Sequence, residues 1–399
     1  MEPILTPLEI TAWALGGLAL LASLWLLTAY RSRVAGVGAA IRRQTAEPCN
    51  PDPKGAEGVS VIVVAGDDAR ALDQLLGKIF DQEWQPEMEV VVVNDGKNPD
   101  IKDVVTRRKH LEHRPNLLIT FTPPGIRNIS RRKLAVTLGI KAAHNPVIIL
   151  LDGHSRLYST QWLARMAGPF TDPRVELVIG SALPSAKFDS GLGRRYRSFT
   201  HGADAAAWLS AALRGKPWRG HRANLAFRRE LFFASGGFNS ALNLNDGDDD
   251  IFVSKVARRG NSVAVVAPQA AVRYSSPSSR SEMRSGRPRR MFTERNLRRS
   301  GAGLWGFSSL MAWTLTLSSL GAIGLGIWLR DWVIAGIAAA LLALTWTLVS
   351  LTWRKTLKAL RCRPVAAMAW PMILRRPLTN LRHSLRSRRN RAEYRTTPA

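Results

Sequence analysis

The sequence predicts an α/β fold with a mostly parallel sheet flanked by helices, together with three transmembrane α-helices. Between about residues 58 and 300, short β-branched runs alternate with helical patterns, and elsewhere three long stretches carry no charged residue. The 399-residue chain is 46% hydrophobic, which excludes a fully disordered protein. Its two cysteines, Cys49 and Cys362, exclude a disulfide framework and a multi-cysteine zinc site.

The three uncharged stretches have the length of membrane spans. They are Ile10–Tyr30, Leu304–Leu329 and Trp332–Trp353, with 21, 26 and 22 residues. About 20 apolar residues cross a hydrocarbon core ~30 Å thick. The first stretch lacks the basic start and the short apolar core of a cleaved signal peptide, so we expect an N-terminal anchor over 1–31. The other two are separated by two residues, which predicts a transmembrane hairpin over 303–353.

Charge predicts the orientation of these spans. The formal net charge is +27, from 57 lysines and arginines against 30 acids. Basic residues follow the first stretch and flank the hairpin, and they include Arg31, Arg33, Arg42, Arg43, Arg289, Arg290, Arg295, Arg298, Arg354, Lys355, Lys358 and Arg361. The positive-inside rule places both the region before the hairpin and the C-terminus in the cytoplasm of a multi-pass protein of the cytoplasmic membrane. Because the excess charge flanks the spans, we expect anionic lipid and no nucleic acid as its partner.

The basic tail, 354–399, has two interpretations. It holds thirteen basic residues and one acid. Its apolar piece Val365–Leu374 is too short to span a membrane and fits an interfacial segment beside anionic headgroups. For Arg382–Ala399 a solvated, disordered tail is the alternative.

Between a polar linker at 32–57 and the hairpin, the pattern is that of one cytoplasmic domain, 58–300. A helix follows Asp67 or Asp68, and another covers Ser130–Ala143. The predicted strands are Val59–Ala65, Glu89–Val93, Leu117–Phe121, Val147–Leu151 and Val175–Gly180. Acids follow three of these strands, at Asp67/Asp68, Asp95 and Asp152. Ligands bind beyond the carboxyl ends of such strands, so we expect these side chains to line one crevice.

Asp152 and His154 form the first candidate constellation. A carboxylate and an imidazole at this spacing suit Mn²⁺ or a similar metal, and suit Mg²⁺ less well. A metal there would neutralise a diphosphate leaving group. The alternative is a helix-capping aspartate with a solvent-exposed histidine.

The run Asp246-Gly247-Asp248-Asp249-Asp250 is the second. Crowded carboxylates raise the pKa of some members, so one of them could act as a general base. A calcium-binding-like or merely solvated acidic loop is the alternative. Lys133 could contact phosphate, whereas Arg131 and Arg132 are expected on a solvated face. Asn224 could contact substrate, although turn asparagines are common.

These segments together resemble family 2 glycosyltransferases, in order and rough spacing, over about 58–275. The similar segments are Val59–Asp68 (VSVIVVAGDD), Val90–Gly96 (VVVVNDG), Lys133–Gly139, Ile148–Ser155 (IILLDGHS), Ala223–Phe238 (ANLAFRRELFFASGGF) and Gly247–Val253 (GDDDIFV). The resemblance implies a GT-A fold, a UDP- or GDP-sugar donor, a divalent metal (Mn²⁺ or Mg²⁺) and an inverting transfer.

The resemblance also implies residue roles. Asp68 and Asp95 would hold the nucleoside, Lys133 would lie near the donor phosphates, Asp152 would sit by the metal and ribose, His154 would be a metal ligand, Asp248 or Asp249 would be the base, and Asn224 and Asp250 would lie on the acceptor side.

Three departures qualify the resemblance. The family's usual Pro-Ala-Tyr-Asn-Glu is Val64-Ala65-Gly66-Asp67-Asp68 here, His154 replaces an aspartate, and Q-x-x-R-W is missing, the nearest stretch being Arg295–Arg299. The last departure argues against a polymer-extruding synthase. We therefore expect a non-processive, membrane-bound hexosyltransferase-like enzyme that acts on a membrane-associated, lipid-linked acceptor in glycolipid or cell-envelope polysaccharide synthesis. The alternative is a degenerate relative that binds a nucleotide sugar or a partner without turnover.

Overall fold

The structure is a computed structural model, and it describes residues 6–95, 98–125, 129–185, 192–275, 280–298, 301–362, 369–391 and 394–396. Its contacts divide the chain into two compact units. The helical unit comprises 1–39, 190–207 and 301–382, and the sheet unit comprises 40–189, 208–300 and 383–399.

The sheet unit is built on a seven-stranded sheet with the order β3-β2-β1-β4-β7-β5-β8. The first four strands run parallel, whereas β7 is antiparallel to both of its neighbours. A small parallel pair, β6–β9, lies apart. The strands are β1 Val59–Ala65, β2 Met88–Asn94, β3 Leu117–Phe121, β4 Val147–Asp152, β5 Leu177–Gly180, β6 Ala182–Pro184, β7 Leu225–Arg228, β8 Ser262–Val265 and β9 Val272–Tyr274.

The helices are α1 Pro7–Tyr30, α2 Gly36–Ala46, α3 Ala69–Phe80, α4 Asp100–Leu111, α5 Arg131–Ala142, α6 Trp162–Ala167, α7 Leu192–Ala212, α8 Arg229–Ala234, α9 Asp250–Val256, α10 Arg280–Glu294, α11 Ala302–Trp328, α12 Trp332–Ala359 and α13 Trp370–Arg389. A π-helical turn, Arg31–Ala35, joins α1 to α2.

The core of the sheet unit explains the uninterrupted apolar strands of the sequence. All seven residues of β1 are buried, because helices cover both faces of the parallel region. On one face, α3 contributes Leu72, Leu75, Leu76 and Ile79. On the other, α5 approaches closely at Gly139, where a Cβ atom would lie 2.6 Å from the side chain of Ile62. The predicted α/β fold class is confirmed.

Three helices of the helical unit are long and apolar enough to cross a membrane. They cover Pro7–Ala46, Ala302–Trp328 and Trp332–Ala359, and they contain the three predicted spans except for Leu329, which lies one residue beyond the second helix. Side chains join them: Ser23 and Thr345 share a hydrogen bond of 2.7 Å, and the Thr356 hydroxyl donates to the Val34 carbonyl at 3.0 Å. Such polar contacts between apolar helices are typical of membrane bundles.

The structure also contains elements that the sequence did not predict, among them α4, α7 and α13. Helix α13 extends to Arg389, so the disordered alternative for the tail is wrong for 382–389. The predicted interfacial piece Val365–Leu374 lies partly outside the described residues, and its described end begins α13. In the helical unit, Arg376 of α13 pairs with Asp204 of α7, and Thr379 bonds to the Tyr196 hydroxyl at 2.7 Å.

Candidate active site

The site begins where β4 ends. Asp152 is the last residue of β4 and lies beside the end of β1. The turn after β4 packs tightly on the loop after β1, since a Cβ atom on Gly153 would lie 2.9 Å from the Gly66 nitrogen. A Cβ atom on Gly66 would lie 2.5 Å from Nε2 of His154. Glycine at both positions therefore lets the imidazole reach the edge of the sheet.

Asp67 is the carboxylate partner of His154. Nε2 of His154 lies 3.2 Å from Oδ1 of Asp67, which is largely exposed. The His154 backbone N–H donates to Oδ1 of Asp152 at 3.3 Å. Two carboxylates and one imidazole thus lie around the turn.

Of the neighbouring strand-end acids, Asp68 caps a helix, and Asp95 accepts a hydrogen bond through its backbone carbonyl. Asp68 is exposed and caps α3, accepting a hydrogen bond of 2.9 Å from the Ala71 N–H. Asp68 is thus a helix cap. The predicted nucleoside contact would require the same carboxylate to bind both the Ala71 N–H and the nucleoside. Asp95 is buried after β2, and its carbonyl accepts a hydrogen bond from Arg131.

Arg132 joins the two candidate constellations. Its Nη1 lies 3.1 Å from Oδ2 of Asp152, and its Nε donates to Oδ2 of Asp248 at 2.9 Å. One guanidinium therefore bridges the turn after β4 and the acidic loop, which we define as residues 246–250. The expected position of Arg132 on a solvated face is wrong, because two carboxylates that are distant in sequence enclose it.

A second arginine, Arg222, faces the same carboxylates. Its guanidinium lies 3.7 Å from Asp152, 3.7 Å from Asp248 and 3.8 Å from Asp246. Burial raises the pKa of Asp152, but Arg132 and Arg222 outweigh this effect and hold the pKa below its ordinary value. Asp152 is therefore ionised at neutral pH.

The members of the acidic loop have different environments. Asp249 caps α9: its Oδ1 accepts the Asp250 N–H at 2.8 Å and its Oδ2 accepts the Arg222 N–H at 2.9 Å. Burial raises the pKa of Asp249. Arg222, Arg219 and these backbone bonds lower it by more, so the net pKa lies below its ordinary value. Asp248 is almost fully buried, and its Oδ1 accepts no hydrogen bond from the described residues.

Asp250 differs from Asp248 in its ion-pair partner, which is Arg219 rather than Arg132 or Arg222. Its Oδ1 lies 2.9 Å from Nε of Arg219, and burial raises its pKa well above the ordinary value. The predicted acceptor-side role does not fit this position, since a buried, paired carboxyl group anchors α9 instead.

Lys133 holds the segment that leads into the acidic loop. Its side chain is fully buried, and its Nζ donates to the carbonyls of Ala241, Leu244 and Asp246 at 2.7, 2.7 and 2.8 Å. An ammonium group has three donors, and all three are used. The predicted contact with donor phosphates is therefore wrong for this arrangement.

Asn224 is likewise structural. Its Oδ1 accepts from Nε1 of Trp162 at 3.0 Å, and its Nδ2 donates to the carbonyls of Ser181 and Ala270. The side chain is fully buried, and a Cβ atom on Gly180 would collide with it. The predicted substrate contact of Asn224 is wrong, because its amide group is used inside the core.

Asp152 and His154 fit a divalent metal in the kind of donor but not as a complete cage. Among the described residues, no group of three or more His, Cys, Asp or Glu side chains could hold a metal ion. An oxygen and a nitrogen donor lie on one turn, and an added ligand set from a diphosphate would complete the coordination. A metal at Asp152 would compete with Arg132 and Arg222 for that carboxylate.

One family model matches the part of the chain that holds most of the central sheet. Residues 60–238 match the family described as Glycosyl transferase family 2. The chain carries a family 2 glycosyltransferase domain. The matched residues include β1 to β5, β7, Asp152, Arg132 and Arg222, whereas the acidic loop follows them. No curated protein shows a significant sequence match to the chain.

Solved glycosyltransferase structures also align with the chain. The mannosyltransferase PcManGT from Pyrobaculum calidifontis, in complex with GDP-Man and Mn²⁺, is 20% identical, with a TM-score of 0.49 over 87% of this chain and 97% of that one. Glucosyl-3-phosphoglycerate synthase from Mycobacterium tuberculosis is 13% identical, with a TM-score of 0.38 over 57% and 75%. Mannosyl-3-phosphoglycerate synthase from Rubrobacter xylanophilus is 12% identical, with a TM-score of 0.38 over 61% and 76%.

Replacing Lys133 tests its role in holding the glycosyltransferase site. We expect Lys133→Met to lower the free energy of unfolding by about 3 kcal/mol, because three carbonyls lose their donor in a buried place. Lys141→Met is the matched control, since Lys141 is exposed on the same helix. Thermal unfolding of the detergent-purified protein checks this. Equal unfolding midpoints for the two variants would contradict the structural role.

Proposed function

We propose that this chain is a membrane-bound, inverting glycosyltransferase that moves a hexose from a UDP- or GDP-sugar to an acceptor at the membrane surface. The observation that carries the proposal is the Arg132 bridge, which brings Asp152 of the family-matched region together with Asp248 of the acidic loop. A single displacement needs a base close to the bound donor. The Arg132 bridge places a candidate base, Asp248, close to the donor-side carboxylate of Asp152. The sugar and the acceptor would meet between them.

The donor diphosphate is the ligand that the cations of the site favour. Arg132 and Arg222 stand at the carboxyl end of β4, where ligands of such sheets bind. Their carboxylate partners keep them in place, and a diphosphate offers the same paired oxygen acceptors. We infer that binding of the donor shifts these arginines from carboxylate toward phosphate.

A divalent metal would be held by Asp152 and His154, together with oxygens of the donor. When bound, it supplies Lewis-acid neutralisation of the diphosphate leaving group. Asp67 already orients the imidazole through Nε2, so metal binding requires that ion pair to open or the other ring nitrogen to face the metal. The mixed oxygen and nitrogen donors suit Mn²⁺ better than Mg²⁺.

Asp248 suits the role of general base better than Asp249. Both oxygens of Asp249 accept backbone N–H bonds, and its lowered pKa makes it a weak base. Asp248 has one oxygen that accepts no hydrogen bond from the part of the chain that the structure describes, and it lies 3.7 Å from a guanidinium of Arg222 that a diphosphate would attract. Movement of Arg222 toward the donor would therefore leave that oxygen available for a proton.

The step itself is a displacement at the anomeric carbon. The acceptor hydroxyl gives its proton to Asp248 while its oxygen bonds to the anomeric carbon. The bond between that carbon and the diphosphate oxygen breaks, and its electron pair leaves with the nucleoside diphosphate. Attack opposite the leaving group inverts the configuration. Arg132 and Arg222 stabilise the charge that develops on the leaving group.

A lipid-linked acceptor follows from the membrane features. Three helices can span a bilayer, and the basic residues around them favour a cytoplasmic site. Helix α13 adds an exposed apolar stripe, Leu378, Leu381 and Leu385, on a helix that also carries six arginines: Arg375, Arg376, Arg382, Arg386, Arg388 and Arg389. Such a helix suits the interface of an anionic bilayer.

Donor binding is the first test. We expect a UDP- or GDP-sugar to bind more tightly with Mn²⁺ than without it, and Asp152→Ala to weaken metal-dependent binding at least tenfold, about 1.4 kcal/mol. Calorimetric titration of the detergent-purified protein measures this. Asp81→Ala, an exposed aspartate at the end of α3, is the matched control. A folded protein that binds no UDP- or GDP-sugar would contradict the proposal, whereas donor binding without transfer would support the degenerate alternative.

The two candidate bases are separated by their kinetic signatures. Asp248→Asn should lower kcat by roughly 10²–10⁴-fold, with donor affinity within about threefold of wild type, because a base acts in the chemical step. Asp249→Asn should mainly lower stability, by about 1 kcal/mol, because the amide has one acceptor oxygen for the two backbone N–H groups that Asp249 binds. Steady-state rates and unfolding midpoints of both variants check this. A stable Asp249→Asn protein with the larger kcat loss would assign the base to Asp249.

Inverted membrane vesicles test the acceptor and the orientation together. With a radiolabelled donor that cannot cross the bilayer, we expect label in the lipid extract of sealed, inside-out vesicles and none in right-side-out vesicles. Asp248→Asn vesicles are the inactive control. Label that remains in the aqueous phase would contradict a lipid-linked acceptor, and labelling in right-side-out vesicles would reverse the orientation.

A further inference from the structure

The carboxyl-terminal segment of the chain packs on the loop that precedes the candidate base. We define residues 394–396 as the strap. Tyr394 is only 2% exposed, and its ring lies 5.4 Å from that of Phe292. With Ala241 and Leu244 these rings form a small apolar cluster, and Ile251 packs against it. This cluster is separate from the main core of the sheet unit.

Backbone hydrogen bonds attach the strap to the same loop. The Asn245 N–H donates to the Tyr394 carbonyl at 3.1 Å, and the Thr396 N–H donates to the Asn243 carbonyl at 2.9 Å. Leu244 and Arg395 form an antiparallel bridge between these two bonds. The strap is therefore paired like a short strand, in a register that is fixed on both sides of Leu244.

The loop between the strap and Lys133 is thus held from two sides. Lys133 binds the carbonyls of Ala241, Leu244 and Asp246, while the strap binds the backbone of residues 243 and 245. Asp248 follows this loop after Gly247, whose φ of +93° favours glycine. Only residues 246 and 247 separate this segment from Asp248, so a shift of residues 243–245 would also move Asp248.

Arg295 gives the tail a second attachment. Its Nη2 donates to the Ser384 carbonyl and hydroxyl at 3.2 and 3.1 Å and to the Ser387 hydroxyl at 3.0 Å. Arg295 begins the stretch that comes nearest to the missing Q-x-x-R-W motif. In the structure the Arg295 guanidinium binds the C-terminal part of α13. Arg295 comes about one turn after Phe292, whose ring packs on Tyr394 of the strap.

We propose that the strap is a positioning element of the active site, with Tyr394 as the residue that fixes the register of loop 241–246 and through it the position of Asp248. The proposal rests on the proposed function for the role of Asp248. A base must be held within a few tenths of an ångström of the acceptor proton, and loops hold groups less accurately than sheets. The strap supplies the loop with strand-like pairing that the central sheet does not give it.

Two truncations form the central experiment. A chain that ends at Thr396 keeps the strap, whereas a chain that ends at Arg391 lacks it. We expect the shorter chain to lose at least tenfold in kcat, with KM and Kd for the donor within about twofold of the longer chain. We also expect faster amide hydrogen exchange in residues 241–250, and unchanged exchange in β1 and β4. Tyr394→Ala should behave like the shorter chain, and Tyr394→Phe should restore kcat because it keeps the ring.

The outcomes separate this proposal from the proposed function. Unchanged exchange in residues 241–250 after loss of the strap would overturn the positioning role, as would equal kcat values for the two truncations. Faster exchange across the whole sheet unit would make the strap a general stabilising element and overturn it too. If no donor supports turnover in the full chain, the proposed function fails, while the exchange comparison still decides whether the strap holds the loop.

Discussion

The buried ammonium group of Lys133 is the interaction on which the geometry of the site depends. A lysine with no exposure to water loses its hydration, and burial lowers its pKa to about 8 although Asp248, Asp246 and Asp249 act to raise it. The group remains mostly charged at neutral pH, so it keeps three N–H donors for the three carbonyls of loop 241–246. One side chain from α5 thereby determines the path of a loop that follows more than a hundred residues later.

The carboxylates of the acidic loop are held by the same helix. Arg132 precedes Lys133 and pairs with Asp248, so successive residues of α5 bind the backbone of the loop and its side chain. Ion pairs that are buried cost much of their Coulomb energy in desolvation, and removal of one partner leaves an unpaired charge. The arrangement is therefore poorly suited to adding stability and well suited to exchanging partners when an anionic donor arrives.

The sequence predicted those parts of the molecule that depend on local pattern. Buried parallel strands are apolar throughout, so every end of β1 to β4 could be predicted to within one residue. The acids that follow these strands could therefore be assigned to one edge of the sheet. The three apolar helices were equally predictable from length and charge. The acidic loop was recognised as a site, but its members could not be told apart, because their roles depend on which backbone N–H groups reach them.

What the sequence could not predict is pairing between distant residues. The sequence predicts Arg132 as a surface residue, whereas the structure places it between Asp152 and Asp248. The sequence predicts Lys133 as a phosphate ligand, whereas in the structure its three N–H groups bind three carbonyls. Asn224 lies in a segment with a strong family pattern, yet its amide completes the hydrogen bonds of Trp162 and two carbonyls. The sequence did not predict helix α13, because its apolar stripe is narrow and lies among many arginines. The helix also has no capping signal in the sequence.

The two sides of the site are built with different rigidity. On the donor side, Asp152 and His154 follow a central strand, and Gly66 and Gly153 allow backbone-to-backbone contact that leaves little freedom. On the other side, Asp248 stands on a loop whose position depends on one ammonium group, one guanidinium and a short strap. A transferase needs the donor held before the acceptor arrives, and then a base held accurately at the acceptor hydroxyl. In the proposed roles, the sheet edge holds the donor side, while Lys133, Arg132 and the strap hold a base that the central sheet does not carry.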